Sequence, residues 1–190
     1  RRNDDGEHGR GSPRFRNRHH HRILSKNIPI RNKNLLIFLI MDMHFVKVKG
    51  ILSSSNGMNL YRGCSHGCIY CNSRSLCYHV AEDGRDFEDI EVKENALELL
   101  EAALKRKKKK CMIGTGAMTD PYIPLEYRLE YTKGALELIE EYGFGVCVQT
   151  KSDRVLRDIE LLQRINKRTK AVVQMTLTTA DEKLCNCLLY

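Results

Sequence analysis

At residues 63–71 the chain reads Gly63-Cys64-Ser65-His66-Gly67-Cys68-Ile69-Tyr70-Cys71, which places three thiols at a C-x3-C-x2-C spacing. Such short gaps let successive thiolates reach separate iron corners of a cuboidal iron–sulfur cluster. Gly67, directly before the second cysteine, lets the backbone turn around an inorganic core without a Cβ in the way. The sequence therefore predicts a metal-binding loop whose ligands are Cys64, Cys68 and Cys71.

Three other interpretations of these cysteines remain open. Buried free thiols are common in proteins, although such thiols have no reason to cluster. A structural zinc site could take Cys77, His66 or His79 as its fourth ligand, although zinc usually has two C-x2-C pairs and only one is present. A disulfide framework is disfavoured, because the chain shows no secretory signal and eight cysteines in 190 residues are sparse for a small stapled fold.

A cluster held by three thiolates leaves one iron with an open coordination position. An open position indicates a catalytic role, because a further ligand can bind there. The cysteine spacing, with the aromatic Tyr70 directly before the last cysteine, resembles the signature of the radical S-adenosylmethionine (radical SAM) enzymes. The resemblance implies a 4Fe-4S cluster that binds the amino and carboxylate groups of S-adenosylmethionine. It further implies reductive cleavage of that cofactor to methionine and a 5′-deoxyadenosyl radical.

Two flanking stretches resemble the branch of this family related to spore photoproduct lyase. They are Gly57-Met58-Asn59-Leu60-Tyr61-Arg62-Gly63-Cys64 and Gly114-Thr115-Gly116-Ala117-Met118-Thr119-Asp120-Pro121-Tyr122. Spore photoproduct lyase repairs a thymine dimer adduct in DNA with a hydrogen-donating cysteine, whose matching position here is Ala117. DNA is therefore the less favoured substrate, and no basic groove with aromatic residues is visible to support it. The substrate stays open, and a non-catalytic zinc or iron–sulfur module remains the alternative function.

Strand and helix patterns alternate regularly from residue 58 onward. The periodicity predicts strands over 58–61, 111–114, 144–150 and 171–177, and helices over 92–108, 129–142 and 155–165. Thr179 and Glu182 have the form of a capping box, which predicts one further helix. Such alternation with short connections predicts an α/β fold with parallel strands and right-handed crossovers.

The resemblance implies that this α/β fold is a partial (β/α) barrel of radical SAM type. About four β/α units can be counted in residues 43–190, whereas barrels of this family usually have six or more. We therefore expect residues 43–190 to be a radical SAM core that is incomplete at its C-terminus. Such a chain would be a fragment, would have a frameshifted end, or would need a partner to complete it.

Small or polar residues follow the predicted strands at the edge where parallel strands converge: Thr115, Gly116, Thr119, Lys151 and Thr176. The resemblance implies that Tyr70 packs on the adenine of S-adenosylmethionine and that Thr119 contacts its amino group. It also implies that Lys151 binds the carboxylate and Thr176 the ribose. A cation for a carboxylate and hydroxyls for a ribose are chemically sound pairings. Thr115 and Gly116 are small enough to let the cofactor approach the backbone.

The first 40 residues differ in composition from the rest of the chain. Residues 1–34 contain ten Arg or Lys and three acids, so they carry +7 of the formal net charge of +8. We expect residues 1–40 to form a disordered basic tail that is not part of the native enzyme. Residues 35–41 are apolar but far shorter than the roughly 20 residues that span a bilayer, so no membrane segment is predicted. Because a cluster held by three thiolates is oxygen-sensitive, we expect the protein to lie in a reducing cytoplasm. A flavodoxin or ferredoxin is the expected electron donor.

Overall fold

The computed structural model describes residues 43–75 and 85–188, so the predicted tail over residues 1–40 lies outside the described part. With strands numbered in chain order, the larger sheet is parallel and has four strands. Their spatial order is β2 (Gly57–Met58), β5 (Met112–Thr115), β6 (Gly145–Thr150) and β7 (Ala171–Met175). A smaller sheet has the order β1 (Met43–Val46), β4 (Ile90–Lys93) and β3 (Tyr61–Arg62). In it β1 runs parallel to β4, and β3 runs antiparallel.

Helices lie between the strands of the larger sheet, and one more follows its last strand. They are α1 (Ala96–Arg106), α2 (Glu126–Leu129), α3 (Tyr131–Glu141), α4 (Ile159–Arg168) and α5 (Glu182–Leu188). The buried side chains of α1 and α4 recur at three- and four-residue intervals, so each helix turns one apolar stripe inward. These stripes share a core with Ile113, Val146 and Val148, which are fully buried on β5 and β6.

The parallel order of the larger sheet confirms the predicted α/β class. Parallel neighbours need a crossover connection, and α1, α3 and α4 lie in the connections between successive strands of this sheet. The predicted strands over 111–114, 144–150 and 171–177 correspond to β5, β6 and β7 within one to two residues at each end. Closure of the sheet into a partial barrel stays a prediction.

The prediction of a single strand over residues 58–61 is wrong. Gly57 and Met58 pair with β5 in the larger sheet, whereas Tyr61 and Arg62 pair with β4 in the smaller one. The chain therefore passes from one sheet to the other immediately before the cysteine loop. Met58, Leu60 and Tyr61 are all buried, which explains why the stretch looks like one continuous apolar strand.

Two helix starts also differ from prediction. Ile90–Lys93 is strand β4, with Ile90 and Val92 fully buried between β1 and β3, so the helix predicted over 92–108 begins only at Ala96. Residues Asp153–Asp158 form a 3-10 helix that begins two residues before the helix predicted over 155–165, and α4 begins only at Ile159.

The cap of the last helix is Asp181 rather than Thr179. The backbone N–H of Leu184 donates to Asp181 Oδ1 at 2.8 Å, while Thr179 Oγ1 accepts from the Asp181 N–H at 3.1 Å. Asp is as good an N-cap as Thr, and here Asp181 satisfies a backbone donor in the first turn of α5 while Thr179 satisfies one just before it. Within the described residues, no helix has the length and apolar character needed to cross a bilayer.

Candidate functional site

The cysteine loop joins β3 to a short 3-10 helix, Asn72–Arg74, and two glycines shape it. Gly63 has φ +85°, and a Cβ there would lie 2.6 Å from the carbonyl oxygen of Phe87. The next residue, Cys64, donates its backbone N–H to that same oxygen at 3.0 Å. Gly67 has φ +63°, a left-handed conformation that favours glycine. Gly67 therefore lets the backbone turn directly before the second cysteine, and the inorganic core inside this turn stays a prediction.

All three cysteines of the loop line one cavity of about 470 Å³, which we call the cluster cavity. It lies where β6 and β7 end, beside the loop that follows β5. Among the residues predicted for the site, the following line this cavity: Cys64, Cys68, Tyr70, Cys71, Gly116, Lys151 and Thr176. Two predicted residues do not. Thr115 is buried and lines a second, smaller cavity, and Thr119 is buried and lines neither.

The electrostatics of the cluster cavity pair a cation with the thiols. Burial raises the pKa of the Cys64 thiol, so a free thiolate is disfavoured there. Burial alone would lower the pKa of Lys151, but the nearby Cys68 and Asp120 outweigh it, and the pKa is raised. The Lys151 ammonium is therefore held in its charged form beside the cysteines. An anionic group entering the cavity would find it there.

Asp120 organises this site, although the sequence analysis gave it no role. Its side chain is almost fully buried and accepts three hydrogen bonds, from Tyr122 N at 2.9 Å, Thr150 Oγ1 at 2.7 Å and Lys151 N at 2.9 Å. It thereby ties the loop after β5 to the end of β6. The hydrogen bond to Tyr122 N is an Asx turn, and the Asp120-Pro121-Tyr122 sequence was a local signal for it.

His66 faces the same carboxylate from the cysteine loop. Its Nε2 lies 3.5 Å from Asp120 Oδ2 and has no closer polar partner in the described part of the chain. Burial raises the pKa of Asp120, but the nearby His66 ring and the hydrogen bonds from Lys151 N and Thr150 Oγ1 outweigh this effect and hold the pKa below its usual range. Three segments thus meet at Asp120: the cysteine loop, the loop after β5 and the end of β6.

A single-ion site is not formed by these groups. Among residues 43–75 and 85–188, no three His, Cys, Asp or Glu side chains are grouped closely enough to hold one metal ion. Cys77 and His79, the further ligands considered for zinc, lie outside the described residues. An iron–sulfur cluster does not require its ligands to converge on one ion, because each thiolate binds a separate iron. The three cysteines around a roomy cavity fit a cluster on that ground.

Two glutamines complete the wall of the cavity, and the sequence analysis missed both. Gln149 on β6 and Gln174 on β7 are paired across the sheet, and Gln149 Nε2 donates to Gln174 Oε1 at 2.8 Å. Both side chains line the cluster cavity and are exposed to it and to solvent. On β6, Gln149 lies between the buried Val148 and Thr150, and this period of two was the available signal for it. On β7 no such alternation marks Gln174, because its neighbour Val173 is exposed.

Comparisons with known proteins bear on this site. The family model described as "Radical SAM superfamily" matches residues 58–188, which include the cysteine loop and the strands β5 to β7. An uncharacterized protein of Mycobacterium tuberculosis is 29% identical over 130 residues, which are 67% of this chain and 38% of that protein. An uncharacterized protein of Methanocaldococcus jannaschii is 32% identical over 111 residues, which are 57% of this chain and 40% of that protein.

The matched part of this chain thus spans about two fifths of the length of these relatives. No solved structure gives a significant match.

Proposed function

This chain belongs to the radical SAM superfamily, and we propose that it holds a 4Fe-4S cluster on Cys64, Cys68 and Cys71. When bound, such a cluster supplies an electron that cleaves S-adenosylmethionine to methionine and a 5′-deoxyadenosyl radical. The observation that carries the proposal is the convergence of all three thiols and the Lys151 ammonium on one cavity of about 470 Å³. An ordinary apolar core would be close-packed without so large a space, and it would not contain a charged lysine.

The chain's own residues have distinct parts in this proposal. Lys151 binds the carboxylate of the cofactor, because its charged ammonium faces the cavity. Tyr70 offers its ring to the adenine, and Thr176 offers its hydroxyl to the ribose, since both line the same cavity. Gly116 lets the cofactor approach the backbone. The amino-group role expected for Thr119 is not retained, because that residue is buried and does not line the cavity.

Membership of the spore photoproduct lyase-related branch is a finer part of the proposal. It is supported by the two stretches at 57–64 and 114–122 that resemble that branch. Ala117, which the sequence resemblance matches to the hydrogen-donating cysteine of spore photoproduct lyase, lines the cluster cavity. DNA repair by that enzyme's route is accordingly not proposed, and the substrate is left open. We further propose that the protein works in a reducing cytoplasm and that a flavodoxin or ferredoxin is its electron donor.

Anaerobic reconstitution with iron and sulfide tests the cluster. After reduction, the electron paramagnetic resonance signal should change when S-adenosylmethionine is added, and 5′-deoxyadenosine should appear by chromatography. Cys68→Ala should lose the cluster. Cys111→Ala, a matched control whose thiol lies outside the cavity, should retain it.

The non-catalytic module is the alternative function, and the same experiment separates the two. Zinc bound in place of iron, with Cys77→Ala losing it, would support a structural zinc module. A cluster that forms but neither responds to S-adenosylmethionine nor yields 5′-deoxyadenosine would contradict the enzymatic proposal.

A further inference from the structure

Two short segments concentrate the positive charge of residues 43–190. Residues 105–110 and 167–170 contain nine Lys or Arg and no acid, so together they carry +9. The remainder of residues 43–190 carries a net charge of −7. The first segment lies between the end of α1 and the start of β5, and the second lies between the end of α4 and the start of β7. Positive and negative charges are therefore segregated along this part of the chain.

The fold places the two segments side by side, with the start of β6 between them. The backbone N–H of Gly145 donates to Cys111 O at 3.1 Å, and the N–H of Val146 donates to Lys170 O at 2.9 Å. Because neighbouring strands lie about 4.8 Å apart, the backbones of the two segments are separated by about 10 Å at this point. Residues 105–110 and 167–170 thus form one surface, which we call the basic face.

Both segments also contact the turn that precedes β6. Lys110 Nζ donates to Tyr142 O at 2.6 Å, and Arg168 Nη1 donates to Glu140 O at 2.9 Å. Both acceptors are backbone carbonyls, which leave the two cations without a counter-charge. One exposed acid, Glu141, lies in this turn.

The cations of the basic face are accessible and mostly unneutralised. All nine are exposed except Lys107, which is half-buried. Among the residues that the structure describes, only Lys105 has a carboxylate within 4 Å, that of Glu101 at 2.6 Å. So many unneutralised cations on one surface repel one another, and an anionic partner would relieve that repulsion.

The basic face lies at the opposite end of the larger sheet from the cluster cavity. Strands β5, β6 and β7 start at the basic face, whereas Lys151 and Thr176 line the cavity just beyond the ends of β6 and β7. The six residues of β6 span about 20 Å. A partner on the basic face is therefore separate from the site described above, and an electron donor would be too far from the cysteines there.

The composition of the basic face favours a nucleic acid over a protein. Seven of its nine cations are lysines, which are depleted in protein–protein interfaces, whereas aromatic residues are enriched there. Within the described residues the basic face offers no exposed ring. The ring of Phe144 is fully buried beneath Lys110, whose Nζ lies 4.3 Å from the ring centroid.

The same lack of exposed rings favours a duplex over a single strand. Single strands are bound largely by stacking of their bases on aromatic side chains. A duplex hides its bases and presents phosphates, which lysines neutralise with release of counterions and without regard to sequence.

We propose that the basic face binds the phosphate backbone of a nucleic-acid duplex independently of its sequence. Lys108, Lys109 and Lys170 make phosphate contacts, because they are exposed and have no ion pair among the described residues. This contact holds the protein on a nucleic acid and leaves the molecule acted on at the cluster cavity open. DNA and RNA duplexes share this backbone chemistry.

Fluorescence anisotropy on the full chain tests the proposal with labelled DNA and RNA duplexes of about two helical turns. The association constant should fall steeply between about 50 and 200 mM salt, with a logarithmic slope of about −0.9 for each phosphate contact. Tighter binding of the DNA or of the RNA duplex identifies the nucleic acid. The measurement precedes cluster reconstitution, so its outcome does not depend on the proposed function.

A triple variant locates the binding. Lys108→Gln, Lys109→Gln and Lys170→Gln together remove three charges from the basic face. They should raise the dissociation constant about tenfold or more and make the salt slope shallower by about 2–3. Circular dichroism checks folding, which exposed substitutions should leave intact.

The matched control removes the same charge elsewhere, with Lys47→Gln, Lys49→Gln and Lys183→Gln. These lysines are exposed and lie outside the basic face. The control should raise the dissociation constant at most about threefold, because only the long-range field changes. Residues 1–34, which are themselves basic, are present in all the proteins compared and contribute the same background to each.

Three results would overturn the proposal. The first is that neither duplex binds, and the second is that the two triple variants lose affinity and salt dependence equally. The third comes from flotation with vesicles of phosphatidylserine and phosphatidylcholine, if the basic face is needed for binding to these vesicles and not for binding to either duplex.

Discussion

The carboxylate of Asp120 accepts a hydrogen bond from the backbone N–H of Lys151, with 2.9 Å between Lys151 N and Asp120 Oδ2. The two residues lie 31 positions apart in the chain and meet where β6 ends. This bond fixes the backbone from which the Lys151 side chain extends into the cluster cavity. Asp120 also accepts from Thr150 and Tyr122, so the position of the lysine depends on one buried carboxylate.

Replacing Asp120 by Ala should therefore destabilise the fold. The change leaves the Thr150 hydroxyl and two backbone N–H groups without their acceptor, and it should lower the free energy of unfolding by about 2–4 kcal/mol. Urea unfolding monitored by circular dichroism measures the effect. Asp153→Ala is the control, because that aspartate is exposed. Equal stability of the two variants would contradict the role assigned to Asp120.

Replacing Lys151 by Ala should weaken binding of S-adenosylmethionine. Loss of a charged hydrogen bond to a carboxylate should raise the dissociation constant about tenfold or more, measured by calorimetry on the reconstituted protein. Lys108→Ala removes an exposed lysine away from the cavity and should leave the affinity unchanged. Unchanged affinity in Lys151→Ala would remove the carboxylate assignment.

A methyl group should have opposite consequences at two glycines that are two residues apart. At Gly116, with φ +99°, a Cβ would lie 1.9 Å from the carbonyl oxygen of Gln149, so Gly116→Ala should cost about 2 kcal/mol or more. At Gly114 the same Cβ meets nothing, and Gly114→Ala should stay within about 0.5 kcal/mol of the wild type. Thermal unfolding compares them. Similar losses in both variants would refute the steric explanation.

Arg157 forms ion pairs with two buried carboxylates behind the site. Its Nη2 lies 2.9 Å from Glu126 Oε1 and 2.7 Å from Asp158 Oδ2, and both acids are almost fully buried. Arg157→Ala should lower the free energy of unfolding by about 3–5 kcal/mol, because it leaves these charges uncompensated. Arg164→Ala breaks a more exposed pair with Glu140 and should cost less than about 1 kcal/mol. Equal decreases in the free energy of unfolding of Arg157→Ala and Arg164→Ala, measured by chemical denaturation, would contradict this expectation.

Stability should fall in alkaline solution because of two buried tyrosines. Burial and then a neighbouring carboxylate, Glu126 for Tyr61 and Asp158 for Tyr122, raise the pKa of each phenol well above its usual range. A group whose pKa is raised by folding stabilises the protein fully below the unfolded-state pKa of about 10 and loses that contribution as pH rises further. By about pH 11 each phenol should have lost about 1.4 kcal/mol of stabilisation.

Urea unfolding at about pH 9 and pH 11 checks this expectation. The loss of stability between the two values should be smaller in Tyr61→Phe and in Tyr122→Phe than in the wild type. Tyr127→Phe is the matched control, because that ring is 70% exposed. The expectation fails if the two buried-site variants lose as much stability as the control.

Much of the site was predictable because its signals are local. The three cysteines and the glycine before the second of them lie within eight residues of one another, at Cys64, Gly67, Cys68 and Cys71. Their spacing can therefore be interpreted without knowledge of the fold. The alternation of helices and strands is local in the same way. It sufficed for the α/β class and for placing Lys151 and Thr176 at strand ends that converge on the cluster cavity.

Pairing across the chain decided the rest. Residues 57–62 divide between two sheets because Met58 pairs with β5 while Tyr61 pairs with β4. The hydrophobic periodicity of these residues does not predict that they pair with different strands. Asp120 and the Gln149–Gln174 pair owe their positions to burial and to strand register, which depend on residues 25 to 31 positions away. Local sequence sets which conformations each segment prefers, whereas only the packing of distant segments decides which polar groups are buried together and which cavities they line.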